Sequence, residues 1–74
     1  MKIEERIKKD IELFELYYNK IKNEKVKDMA IRYYKDAKYY LSKKDYYTAF
    51  GCINYAHGLI DALRLFVEKE DLTN

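Results

Sequence analysis

Apolar side chains recur along this chain in three runs of alternating three- and four-residue steps, the period of helices packed on one another. The clearest run is Tyr46, Ala49, Ile53, Ala56, Ile60, Leu63 and Val67. It lies in a stretch that nearly escapes charge: no Asp, Glu, Lys or Arg occurs from Tyr46 to Ile60, in a chain where 38% of residues are charged. Cys52, Leu59 and Phe66 widen this seam, which suits a helix touching two neighbours. Ile53, Ala56, Ile60 and Leu63 are therefore expected at the centre of the core.

Ile7, Ile11, Phe14, Tyr18 and Ile21, with Ile3 a turn earlier, form a second stripe; Val26, Ala30, Tyr33, Ala37 and Tyr40 form a third. Glu4–Lys8 and Glu5–Lys9 are i,i+4 pairs in the favourable order, each contributing about 0.2–0.5 kcal/mol on a solvated face. Ile21 and Val26 are five residues apart, which breaks the register, and Asn23 is suited to cap a new helix there. Lys43 and Lys44 fit a helix C-terminus, and Asp45 fits the N-cap of the next helix. The pattern predicts an all-α fold with helices over about 2–22, 24–43 and 46–69 and a frayed end at 71–74. Short connections make the helices antiparallel neighbours in an up-down-up three-helix bundle.

Seventy-four residues allow one domain, 1–74, with a thin stability margin. One cysteine excludes an internal disulfide, and Cys52 with His57 is too small a set for zinc, so no metal or cofactor is expected. The opening MKIEERIKKD is charged throughout and unlike a signal peptide, and no apolar run reaches the length of a membrane span. A cytoplasmic protein without membrane contact is the expectation. A net charge of +2 does not by itself point to nucleic acid.

Candidate chemistry is sparse. His57 and Asp61 are one helical turn apart, so the carboxylate can orient the imidazole, but no nucleophile accompanies them. The ordinary reading is a pair at the edge of the seam, hydrogen-bonded to each other or to tyrosines. Cys52 reads as a small buried hydrophobe. No residue is assigned a catalytic role, and the chain is not expected to be an enzyme.

Nine tyrosines include four doublets, Tyr17-Tyr18, Tyr33-Tyr34, Tyr39-Tyr40 and Tyr46-Tyr47. Neighbours point about 100° apart, so one ring of each doublet can enter the core while the other stays outside. Between Lys25 and Lys44 seven bases stand against two acids, interleaved with rings. That mixture suits single-stranded nucleic acid. It equally suits core-edge tyrosine beside solvated lysine, and no nucleic-acid motif accompanies it.

On the less greasy side of the third helix, Gly51, Asn54, Gly58 and Asp61 fall within about 80° of one another, beside His57. Glycine inside a helix costs roughly 0.5–1 kcal/mol relative to alanine, so something should offset it. Either a neighbouring helix approaches closely, its tyrosine rings filling the glycine positions, or the strip is a shallow groove for a partner or small ligand.

The segment YYKDAKYYLSKKDYYTAFGCINYAHGLIDALRLF, Tyr33 to Phe66, and above all YAHGLIDA, Tyr55 to Ala62, resembles an archaeal family known only as domain of unknown function 357. From Met1 to Arg32 the likeness is in helical character alone. The resemblance implies a compact three-helix bundle and an archaeal cytoplasmic protein, and it implies no activity. KDYYTAF is faintly similar to the opening of a helical repeat, but there is no second copy. Helical nucleotidyltransferase-associated ribonuclease domains need an Arg shortly before the His, which His57 lacks. The expected function is a small protein-interaction or self-association module; the alternative is an accessory nucleic-acid or nucleotide-binding domain using the basic, Tyr-rich second helix.

Overall fold

The structure, a computed structural model, describes the backbone of residues 2–73 and the side chains of residues 2–65. Three helices, α1 (Ile3–Tyr17), α2 (Glu24–Ser42) and α3 (Tyr46–Thr73), form an all-α up-down-up bundle. Matching contacts give the directions. Tyr46 donates to Glu4 and His57 meets Asp10, so α1 and α3 run parallel; Tyr34 reaches Glu15 and Lys27 covers Tyr18, so α1 and α2 run antiparallel. The helix expected to end near 69 continues to Thr73, while the expectations for Phe66 and Val67 concern side chains outside the described part.

The first connection forms without glycine or proline. After Tyr17 the chain tightens into a 3-10 turn, Tyr18–Lys20, and Ile21 turns extended at φ −74° and ψ 118°. Ile21 is buried all the same, so the last residue of the first stripe reaches the core from a loop and not from a helix. Asn23 then caps α2, its Oδ1 accepting from the Val26 N–H at 3.1 Å. The first helix is thus shorter than the apolar stripe suggests, because periodicity cannot tell a final helical turn from a 3-10 turn that keeps the same side buried.

The second connection is a Schellman motif. Asp45 N–H bonds Tyr40 O at 3.0 Å, Lys44 N–H bonds Leu41 O at 3.0 Å, and Lys44 sits at φ 62°. That left-handed conformation favours glycine and strains a lysine. Asp45 caps α3 as expected, its Oδ1 accepting from the Thr48 N–H at 3.2 Å.

The largest fully buried side chains are Phe14, Ile7 and Ile53, and Ala30, Ala37, Ala49 and Ala56 are also buried, letting the helices approach closely. Ile53 and Ala56 therefore hold the expected central place, but Ile60 and Leu63 are only partly buried. The core centre lies nearer the start of α3 than its seam implies. Beyond His57 a hollow opens between α3 and the last turns of α1, and Ile60 and Leu63 stand in its wall.

The tyrosine doublets mostly divide as expected, with Tyr17, Tyr39 and Tyr47 exposed and Tyr18, Tyr40 and Tyr46 half-buried. Tyr33 and Tyr34 depart from this. Both are half-buried, because Tyr33 lies on Tyr55 of α3 at 4.5 Å and Tyr34 on Phe14 of α1 at 4.8 Å.

Ile53→Ala is expected to cost about 2–5 kcal/mol and Ile60→Ala clearly less, compared by denaturant melts, since the half-exposed site loses less contact. At the α2–α3 corner, Asp45→Ala should lose about 1 kcal/mol while Lys44→Gly gains about 1 kcal/mol by relieving the left-handed strain. Effects of the same sign in thermal melts would contradict this account of the corner.

Candidate functional site

The strip anticipated on α3 divides in two. Gly51, Asn54 and Gly58 are exposed on the outward side of the helix and line a shallow depression with Tyr55 and Leu59. His57 and Asp61, at the edge of the strip nearer α1, line a second, larger hollow.

The glycines do not admit a neighbour. A Cβ added at Gly51 or at Gly58 meets nothing within 4 Å. The close approach of tyrosine rings expected there is absent, because Tyr33 and Tyr34 are occupied by Tyr55 and Phe14 at the sides of α3 and α1. Asn54 and Asp61 are exposed, so neither needs a buried tyrosine hydroxyl. Among the described residues nothing packs over the two glycines.

His57 is a structural residue of the α1–α3 contact. Its Nε2 lies 2.6 Å from the backbone oxygen of Asp10, an acceptor, so this nitrogen carries the proton and donates it. The ring also meets Phe14 in a T-shaped pair, with centroids 6.0 Å apart and an interplanar angle of 87°. The expected bond between His57 and Asp61 is replaced by this backbone partner. An imidazole committed at Nε2 and packed on Phe14 is held in place by the fold, with its partner chosen across the interface and not along its own helix.

The larger hollow, of about 590 Å³, lies between the end of α1, the first connection and α3. Leu13, Ile21, Ile60 and Leu63 supply apolar walls; Lys20, Lys22 and Arg64 bring three cations to its rim beside Asp61. The sequence reading did not find these residues together. Lys20 and Lys22 are ordinary charges near a helix end, and only the 3-10 turn carries them round to α3.

Two titrating groups are shifted. Burial, the hydrogen bond donated to Glu15 and the Glu15 charge push the Tyr34 phenol up to about 12. Burial, with Asp36 and Asp45 nearby, raises the Cys52 thiol, leaving it protonated and a poor nucleophile at neutral pH. Cys52 is half-buried, consistent with the hydrophobe expected. Among the described residues no three His, Cys, Asp or Glu side chains gather into a potential metal site, and no helix is long and apolar enough to cross a membrane.

The model of the family described as Protein of unknown function (DUF357) matches residues 3–71. The chain belongs to this family. Membership therefore extends well beyond Tyr33–Phe66, taking in α1, whose sequence resembles the family only in helical character. No curated protein and no solved structure matches this DUF357 chain.

Because the folded-state pKa of Tyr34 is raised above the ordinary phenol value, its contribution to stability is fully present below pH 10 and is lost as pH rises towards 12. Wild type should be more stable than Tyr34→Phe at neutral pH. The gap should shrink as pH climbs through that window, read from denaturant midpoints of both proteins. A constant gap would remove the Tyr34–Glu15 bond from the stability of the bundle.

Proposed function

We propose that this DUF357 protein is a non-enzymatic interaction module that meets its partner through the outward face of α3. One observation carries the reading. The helix holding much of the core also carries an uncharged far side from Tyr47 to Leu65, where Tyr47 is 92% exposed and Leu65 62% exposed around open glycines. A helix with little charge around its circumference is suited to an interior, and α3 has neighbours on only one side. A binding role also accords with Cys52, whose thiol is raised by burial, and with His57, held by the Asp10 carbonyl of α1. An archaeal, cytoplasmic setting belongs to the same proposal and rests on the family resemblance.

The alternative reading, nucleic-acid binding by α2, draws on the seven bases between Lys25 and Lys44. Against it, several rings already carry cations of the same chain: Lys27 lies over Tyr18 at 5.7 Å, Lys38 over Tyr34 at 5.3 Å and Lys43 over Tyr39 at 5.7 Å. Half-buried Tyr33 and Tyr34 have faces taken by Tyr55 and Phe14.

Gly58→Arg tests the leading reading. A Cβ there meets open space, and arginine is the better helix former, so stability should hold or rise by up to about 1 kcal/mol. Association, measured both as self-association and as capture from native lysate, should fall at least tenfold. Unchanged association would remove this face from the function. RNA binding that weakens steeply with salt and survives Gly58→Arg would favour α2 instead.

A further inference from the structure

The hollow between the end of α1, the first connection and α3 is divided by burial into two chemistries. Ile21 is buried and Leu13, Ile60 and Leu63 are half-buried, so its walls are aliphatic. Lys20, Lys22, Asp61 and Arg64 are exposed and stand at its rim. Three cations against one carboxylate leave the mouth with positive charge in excess. A cleft with low-dielectric walls and charge of one sign at its mouth concentrates ions of the other sign. The ion pairs among the described residues, Arg6–Asp10 and Lys8–Glu4, belong to the first half of α1 and involve none of these cations.

The directed polar groups of the lining are largely engaged within the chain. Asn23 uses its Oδ1 to cap α2, accepting from the Val26 N–H, and His57 gives its Nε2 proton to the Asp10 carbonyl. One side of the Tyr17 ring carries the Lys20 ammonium, 5.1 Å from its centre. Little is left to read the hydrogen-bonding edge of a base or a sugar, or to stack on its plane. What the hollow offers is hydrocarbon inside and positive charge outside.

We propose that this hollow binds a small amphiphile with a single aliphatic chain and a compact anionic head, a carboxylate or a phosphate. The chain lies along Leu13, Ile21, Ile60 and Leu63, and the head sits at the rim with Lys20, Lys22 and Arg64. A volume of about 590 Å³ falls within the 300–1,000 Å³ typical of small-molecule sites. The bound chain covers Ile60 and Leu63, the two seam residues that the bundle leaves only partly buried. The head meets charges that its own solvation does not fully offset in a partly enclosed site, where ion pairing is stronger than in open water. The hollow shares no lining residue with the depression at Gly51, Asn54 and Gly58, so this proposal stands apart from the partner reading above.

The test is isothermal titration calorimetry of the full chain at low salt, with hexanoate, decanoate, decyl phosphate and decyltrimethylammonium as probes. Decanoate or decyl phosphate should bind saturably, one molecule per chain, and the tighter of the two identifies the head. Each buried CH₂ tightens binding by up to about fourfold, so decanoate should bind roughly tenfold or more tighter than hexanoate. Decyltrimethylammonium, with the same chain and the opposite charge, should bind far more weakly. Lys22→Glu combined with Arg64→Glu should weaken decanoate about tenfold, since both lose a charge-assisted contact. Lys35→Glu, an exposed change on α2 outside the lining, should leave it unaltered. All three substitutions are at exposed positions, so thermal midpoints should be retained. The chain-length and head-charge comparisons use the unsubstituted protein and stand whatever the variants do. Equal binding of the cationic and anionic probes overturns the proposal, as does equal binding of hexanoate and decanoate. Equal weakening by Lys35→Glu overturns it too, reducing the effect to net charge. Failure of both anionic probes to bind ends it, including where vesicles of phosphatidylglycerol and phosphatidylcholine still capture the chain, which would make the basic rim a surface contact with lipid. None of these outcomes touches the outward face of α3, which Gly58→Arg tests by itself.

Discussion

Phe14 is where the three helices are tied to one another. It is 1% exposed, and its ring lies 4.8 Å from Tyr34 of α2 and 5.9 Å from Tyr18 just past α1, with His57 of α3 in a T-shaped pair with it. Aromatic pairs of this geometry contribute about 0.5–1.5 kcal/mol each beyond the area they bury. In a domain of this size that is a considerable part of the whole. The polar ends of the same residues are satisfied around it: Tyr34 donates to Glu15 and His57 donates to the Asp10 carbonyl. A single cluster therefore fixes helix spacing and direction together, since Tyr34 and His57 each add a hydrogen bond to α1 beside their ring contact with Phe14.

That constraint explains why the candidate catalytic pair came apart. His57 and Asp61 are adjacent on their helix, but the imidazole is drawn to α1 by Phe14 and the Asp10 carbonyl. It also explains the hollow beside them. Between the last turns of α1, the connection that carries Ile21 inwards and α3, a hollow opens in which Ile60 and Leu63 are only partly covered. The cations at the hollow's rim follow from the same connection.

The opposite side of α3 is under no such constraint. There the glycines, Asn54 and Tyr47 face open space. The chain accepts two helix-weakening residues and an almost fully exposed ring where charged residues would improve both helicity and solubility. The same choice of residues suits a face that is covered when the protein acts.

Much of this was legible in the order of residues. Three-and-four spacing at Ile7, Ile11 and Phe14, at Ala30 and Ala37, and at Ala49, Ile53 and Ala56 determines which side of each helix is buried, because side-chain direction along a helix follows from local geometry. Asn23 and Asp45 announced their helices since capping is also local. The second seam on α3 was visible as Tyr47, Gly51, Asn54, Gly58 and Leu65, but half of it was read as part of one polar strip with His57 and Asp61. What only the tertiary structure decided are the matters that depend on a neighbour's position. These are where α1 stops, that Lys44 accepts a left-handed turn, which acceptor His57 finds, and whether anything stands over Gly51 and Gly58. Each is settled by distances between residues far apart in the chain, about which periodicity carries no information.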